Sequence, residues 1–463
     1  MGITKELAGY VANLSINDLP DRVVRMTKLA ILDTMGVIFA GSREYSSKVM
    51  IDFARDAEGK AESTIIGQGF KTLAAYAALA NGAMGHALDY DDTTTSLLDP
   101  TKGGLHAGSP IVSAAMAISE MEESNGKDLI AAVAGAYDIA SRLEISVPPQ
   151  DKSLQSSALH PSGIFGTFAA TAAAAKLLGF NEEQITNAFG VAGSQTSGIL
   201  QGLTEGSPMK RIQSGFAARN GVLSAILTQR GLDGPKQVFE GRFGFFNAYY
   251  NGNYSPDKVT YELGREFAVS YDSFKLYPTC ALAHSSIDAA LNLVNTYDIK
   301  PEDVTTVNVW LSRYEYIYCC EPAERKYRPV TVIDAEFNIP FAVAAGIVKR
   351  RVTLDEISER GIQDREILEF AKKIKTFIDP ALVNMNCVLE IELANGDKVR
   401  KQIDIPKGWP KSSLQWNDGD VIDKFRVCLK SVGKSKRTEE IIDLIMNLER
   451  LDNVTSLSDA IRE

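Results

Sequence analysis

Cysteine is scarce in this chain. Five residues (Cys280, Cys319, Cys320, Cys387 and Cys428) are spread over 463 positions, and none are paired at C-x-x-C spacing. That absence excludes zinc-ribbon and common iron–sulfur ligand sets, and so few thiols point to a reducing compartment. Positive charge is also short: 49 Lys+Arg stand against 59 Asp+Glu, a net charge of −10. A general nucleic-acid or membrane-surface binder needs the opposite field, so any anionic ligand must be met by a local basic cluster. No apolar run reaches the roughly 18–20 residues of a membrane span. The opening segment MGITKELAGYVANL lacks the features of a secretion signal or transit peptide, and Glu6 stands where a myristoylation motif wants Ser or Thr. A cytoplasmic location is therefore expected. Walker loops, G-x-S-x-G elbows and strand-linked G-x-G-x-x-G turns are missing too.

What remains is the composition of an ordinary globular protein, 45% hydrophobic and 23% charged, with length for two or three domains. The first half reads as helical. In DLPDRVVRMTKLAILDTMGVIFAG, Leu19, Val23, Met26 and Ala30 recur at helical spacing; Asp18 or Asn17 can cap the start and Gly41 can end it. HPSGIFGTFAATAAAAKLLGF carries a ridge of small residues from Ala170 to Ala175, which predicts closely packed central helices. Further helices are expected near 181–193 and 216–229. The pattern changes near residue 265. DVTTVNVWLS alternates like a strand, and Asn395-Gly396 between two alternating segments predicts a hairpin with a type I′ turn. AEFNIPFAVAAGIVK, REILEFAKKIK and TEEIIDLIMNLERL read as helices. The outline is a mainly α protein: a helical domain over 1–265, an inserted α+β domain over 266–405, and a segment over 406–463 that returns to helix.

Histidine carries the chemical signal. The chain has four, His86, His106, His160 and His284, each beside small residues or proline. His106 and His160 sit in irregular stretches ahead of expected helices, where a side chain can face a cleft. His284 reads better as a packed helical residue, and His86 as a helix-end residue that orients its neighbours. Asp89, Asp91 and Asp92 form an acidic cluster followed by Thr93, Thr94 and Thr95. An EF-hand loop from Asp89 fails, because Thr94 and Pro100 stand where Gly and Glu are needed. A D-D-x-x-D magnesium motif fails at Thr95. The cluster could be a solvated helix end; the functional alternative is a carboxylate that orients a histidine, with one raised pKa among the three. Lys210-Arg211 is expected just ahead of a helix beginning near Ser214, and Lys275 stands at a similar loop-to-helix entry. Each lysine alone could be a solvated surface charge; together they suit a carboxylate ligand.

The segments NGAMGHALDYDDT, GGLHAGSPIVSAAMA, HPSGIFGTFAATAAAAKLLGF, GSPMKRIQSGFAARNG and KLYPTCALAH, in this order, resemble the MmgE/PrpD family. That family includes 2-methylcitrate dehydratase, cis-aconitate decarboxylase and iminodisuccinate epimerase. The resemblance implies a large all-helical domain completed by the C-terminus, a smaller α+β lid, a homodimer, a site between the domains, and no metal or organic cofactor. Carried over by motif, it implies catalytic roles for Asp89, His106, His160 and Lys210, and substrate-binding roles for Thr93, Lys275 and Arg211. His106 would be the principal acid/base, and His160 a second proton donor or a substrate clamp. The substrate would be a small di- or tricarboxylic acid. The first expectation is a 2-methylcitrate dehydratase-like hydro-lyase, with decarboxylase and epimerase readings beside it and a non-catalytic helical binding protein as the remaining alternative. One departure stands out: Ala107-Gly108 follow His106 where many members have proline. The preceding loop is long and carries Asp99, Pro100 and Lys102.

Overall fold

The computed structural model describes residues 2–95, 103–148, 158–205, 207–383 and 385–463, so Asp99, Pro100 and Lys102 lie outside the described residues. The protein is mainly α. Its backbone divides into two compact units, one comprising 1–274 with 421–463 and the other 275–420. Among the described residues no helix is long and apolar enough to cross a membrane.

The first unit is built on α1 (Ile3–Asn13), α2 (Asp21–Gly41), α3 (Tyr45–Asp56), α4 (Ala74–Gly85), α5 (Gly108–Met121), α6 (Gly126–Ser146), α7 (Pro161–Leu177), α8 (Glu182–Gly193), α9 (Gln201–Glu205) and α10 (Met209–Gln229). The alanine ridge of α7 is buried throughout, and α7 packs against α5, α6 and α10. Helix α10 also crosses α4 at very short range. A Cβ on Gly215 would sit 2.3 Å from the carbonyl oxygen of Leu79, so only glycine allows this crossing. The expected start of α2 at Asp18 is corrected. Asp18 instead closes a short turn with Ser15, and Pro20 precedes the first helical residue. Helix α10 starts at Met209 rather than Ser214, which puts Lys210 and Arg211 inside its first turn. Two small sheets tie the helices together: β1 (Ser63–Ile65) with β2 (Phe70–Thr72), and β3 (Thr93–Thr95) between β4 (Gly103–Leu105) and β5 (Asp272–Ser273). The C-terminal stretch completes this unit. Lys424 reaches Asp33 of α2 at 2.6 Å, both fully buried, and Phe425 packs on Gly36.

The second unit holds a four-stranded sheet in the order β7-β6-β8-β9, from β6 (Val304–Leu311), β7 (Ile374–Ile378), β8 (Cys387–Leu393) and β9 (Lys398–Ile403). Val307, Val309 and Leu311 face its core, as the alternation predicts. Two expectations are corrected here. The run REILEFAKKIK is helical only over Arg365–Ala371; its end becomes β7, because pairing parallel with β6 outweighs local helix propensity. The hairpin forms at Asn395-Gly396 but without a type I′ turn. Only Gly396 has positive φ, and its N–H bonds the Leu393 carbonyl, the pattern of an ordinary turn followed by a glycine bulge. AEFNIPFAVAAGIVK is broken in two, since the Asn338 side chain accepts from the Phe341 N–H at 2.9 Å and caps a new helix, Ile339–Lys349.

Candidate active site

Three of the four histidines meet around the end of α4. His86 is the residue that ends this helix, and its imidazole is buried. The chain then turns sharply, with Asp89 in the left-handed region at φ 48°. That turn brings Asp91 back beneath His86. The Asp91 carboxylate lies 2.8 Å from His86 Nδ1 and accepts the Ser109 hydroxyl at 2.8 Å. It also lies 3.5 Å from His106 Nδ1. His106 donates more closely to the Asp92 carbonyl oxygen, at 2.9 Å, which assigns the proton to Nδ1. Its backbone N–H is held by the Ser162 hydroxyl at 3.0 Å. His160, at the start of α7, lies parallel to His86 with ring centres 5.5 Å apart; His86 and His106 are 4.6 Å apart. Lys210 reaches in from α10 to Asp89, Nζ to Oδ1 2.5 Å.

Burial sets the protonation states. His160 is held well below the ordinary imidazole value by desolvation first, then by electrostatic coupling to His86 and by the Lys210 charge; Gln213 and Asp91 oppose the shift. Beneath His106 the carboxyl of Asp92 faces that of Asp272 on β5. Burial first, then the neighbouring Asp91 carboxylate, pushes Asp92 up to about 7; burial and the Asp92 charge push Asp272 well above its ordinary value. Asp92 accepts from the Gly108 N–H at 3.0 Å and from the Tyr137 hydroxyl at 2.7 Å. A Cβ at Gly108 would stand 2.7 Å from Asp92 Oδ1, so the glycine after Ala107 is what lets this carboxyl reach the start of α5. With both carboxyls raised, the native state binds more protons than the unfolded chain between about pH 4 and 7. Stability from this pair is full below about pH 4 and lost as pH rises through about 7. Between about pH 5 and 8 the wild-type melting temperature should fall roughly 2–4 °C more than that of the Asp92→Asn, Asp272→Asn double variant. Parallel melting curves across that range would refute the raised carboxyls.

The structure brings Asp89, His106, His160 and Lys210 together, as expected. It does not bring Arg211 to them: one residue along α10 turns the side chain away, and its Nη1 pairs with Glu44 at 2.8 Å. Thr93 opens β3 opposite Ser273, and its buried hydroxyl has no hydrogen-bond partner among the described residues. Lys275 is buried and is the first residue of the second unit. His284 lies in that unit too, between the rings of Tyr277 and Trp409, as a packed residue. Sequence reasoning set His86 and Asp91 aside and missed Gln213, Tyr137 and Asp272. For His86 and Asp91 the signal was present, a helix end followed closely by acids; for the others no local pattern marks them.

One nitrogen from each of His86 and His106 and one oxygen of Asp89 lie within 4.8 Å of one another, a donor set that suits a zinc-type ion. Lys210 already supplies a positive charge to the Asp89 carboxylate, which opposes a second cation there.

The MmgE/PrpD N-terminal domain matches residues 5–257 and the MmgE/PrpD C-terminal domain matches residues 277–450. The chain belongs to the MmgE/PrpD family. Among curated members, it is 26% identical to the cis-aconitate decarboxylase of Aspergillus terreus over 98% of this chain and 95% of that protein. It is 26% identical to the human cis-aconitate decarboxylase, over 99% of this chain and 94% of that one. The match to the 2-methylcitrate dehydratase of Escherichia coli is thinner: 20% identity, covering 62% of this chain and 61% of the dehydratase. These MmgE/PrpD relatives are enzymes, so the first expectation, a methylcitrate dehydratase, has weaker support than the decarboxylase alternative.

Proposed function

We propose that this protein is a decarboxylase acting on cis-aconitate or a closely similar unsaturated tricarboxylate. The observation that carries the reading is the near full-length similarity to cis-aconitate decarboxylases, set against a partial match to the dehydratase. The chemistry of the buried cluster is compatible. When carbon dioxide leaves, the electron pair of the broken C–C bond stays on carbon, and a proton must replace the lost carboxylate. The cluster offers an ammonium, Lys210, to stabilise developing negative charge, and imidazoles to carry the proton. Thr93 offers a buried hydroxyl to a substrate oxygen. Lys275, two residues beyond the strand that pairs with Thr93, is proposed as a further cation for the substrate carboxylates.

Purified protein supplied with cis-aconitate should release carbon dioxide, and prior dialysis against a chelator should leave the rate unchanged. Dehydration of 2-methylcitrate with no gas from cis-aconitate would return the assignment to the dehydratase. A rate lost on dialysis and restored by a divalent metal would overturn the metal-independent cluster.

A further inference from the structure

Gln213 lies one turn beyond Lys210 on α10, so the two side chains share a helix face. Its amide is oriented from two sides. Nε2 donates to the Ile199 carbonyl at 2.8 Å, which leaves Oε1 facing His160 Nδ1 at 2.7 Å. The same strap holds the His160 backbone, whose N–H donates to the Gly198 carbonyl at 3.0 Å. The strap is itself anchored, since Leu200 N–H donates to the Ala158 carbonyl at 2.8 Å. An amide oxygen accepts and cannot donate, so the ring proton must sit on Nδ1. His160 Nε2, across the ring, is buried and has no hydrogen-bond partner among the described residues.

We propose that Gln213 is a positioning residue: it locks the proton of His160 onto Nδ1 and makes Nε2 the atom that meets substrate. This deepens the decarboxylase reading and rests on it for the role of His160, though the tautomer itself does not depend on it. The charged and titratable groups facing His160 are His86 from the end of α4, Asp91 from the loop after it, and Lys210 from α10. Burial, with His86 and the Lys210 ammonium nearby, keeps the ring neutral in the resting site. His160 therefore enters the cycle as a lone-pair acceptor at Nε2 and becomes a donor only after taking up a proton.

Nitrogen NMR of full-length protein with isotope-labelled histidine tests this without any substrate. The His160 signals, identified by their loss in His160→Asn, should show a protonated Nδ1 and an unprotonated Nε2 at neutral pH. Gln213→Glu places a carboxylate on Nδ1; His160 should then titrate at higher pH, and the acid limb of the pH–rate profile should move up by about one unit. Gln213→Leu should scramble the tautomers and lower kcat by about tenfold or more, with KM little changed. A resting Nε2–H tautomer, or Gln213→Glu with unaltered His160 titration, would overturn the proposal. Failure to turn over cis-aconitate would instead strike the decarboxylase reading and leave the NMR result standing.

Discussion

His106→Ala should lower kcat for cis-aconitate by about three orders of magnitude, the scale of a lost general acid or base. The Nδ1 proton of His106 is held by the Asp92 carbonyl at 2.9 Å, with Asp91 behind it, so the ring can exchange a proton only through its other nitrogen. Removing the imidazole leaves the local backbone bonded, because the Ser162 hydroxyl still holds the residue 106 N–H. The variant should fold, bind substrate with little change in KM, and fail at chemistry. His106→Asn keeps a short polar group but no titrating nitrogen, and should be equally inactive. Steady-state assay with circular dichroism as a folding control decides the matter. Retention of more than about a tenth of wild-type kcat would exclude His106 as the principal acid/base.

Lys210→Met should cost activity and stability together, and the two losses can be separated. The ammonium lies 2.5 Å from Asp89, with side-chain exposures of only 15% and 7%. Taking away one partner of such a buried pair costs about 3–5 kcal/mol, because the remaining charge has lost its solvent and its counter-ion. It also leaves a bare carboxylate facing an anionic substrate. The expected result is a clear drop in melting temperature and a fall in kcat/KM of about a hundredfold or more. Adding Asp89→Asn removes the orphaned charge, so the double variant should recover most of the melting temperature and little of the activity. If the double variant recovers both, Lys210 is a structural counter-ion to Asp89 and nothing more.

Much of the local architecture was legible. The helix through Val23, Met26 and Ala30 shows in its apolar periodicity. The alternation of Val307, Val309 and Leu311 marks a strand, and Asn395-Gly396 marks a hairpin. The failures share a cause. The run REILEFAKKIK looks helical to its end, yet Ile374 and Lys375 open a strand because β6 offers a parallel partner. Lys210 and Arg211 look like a loop ahead of a helix, yet the helix begins at Met209. Neighbouring positions on a helix point in different directions, so only Lys210 reaches the histidines and Arg211 goes to Glu44.

The same division runs through the site. Sequence alone determined the residue types available to it: few histidines, a tight acidic cluster, two lysines beside glycine- and proline-bounded turns. Local spacing carries that information, because helix ends and turns are dictated by neighbours along the chain. Only the tertiary structure decided that His86 stands at the centre, that Asp272 would face Asp92 from about 180 positions away, and that Gln213 would set the proton on His160. Those pairings follow from which helices can cross closely, as α4 and α10 do at Gly215, and no pattern within one segment records the partner it will meet.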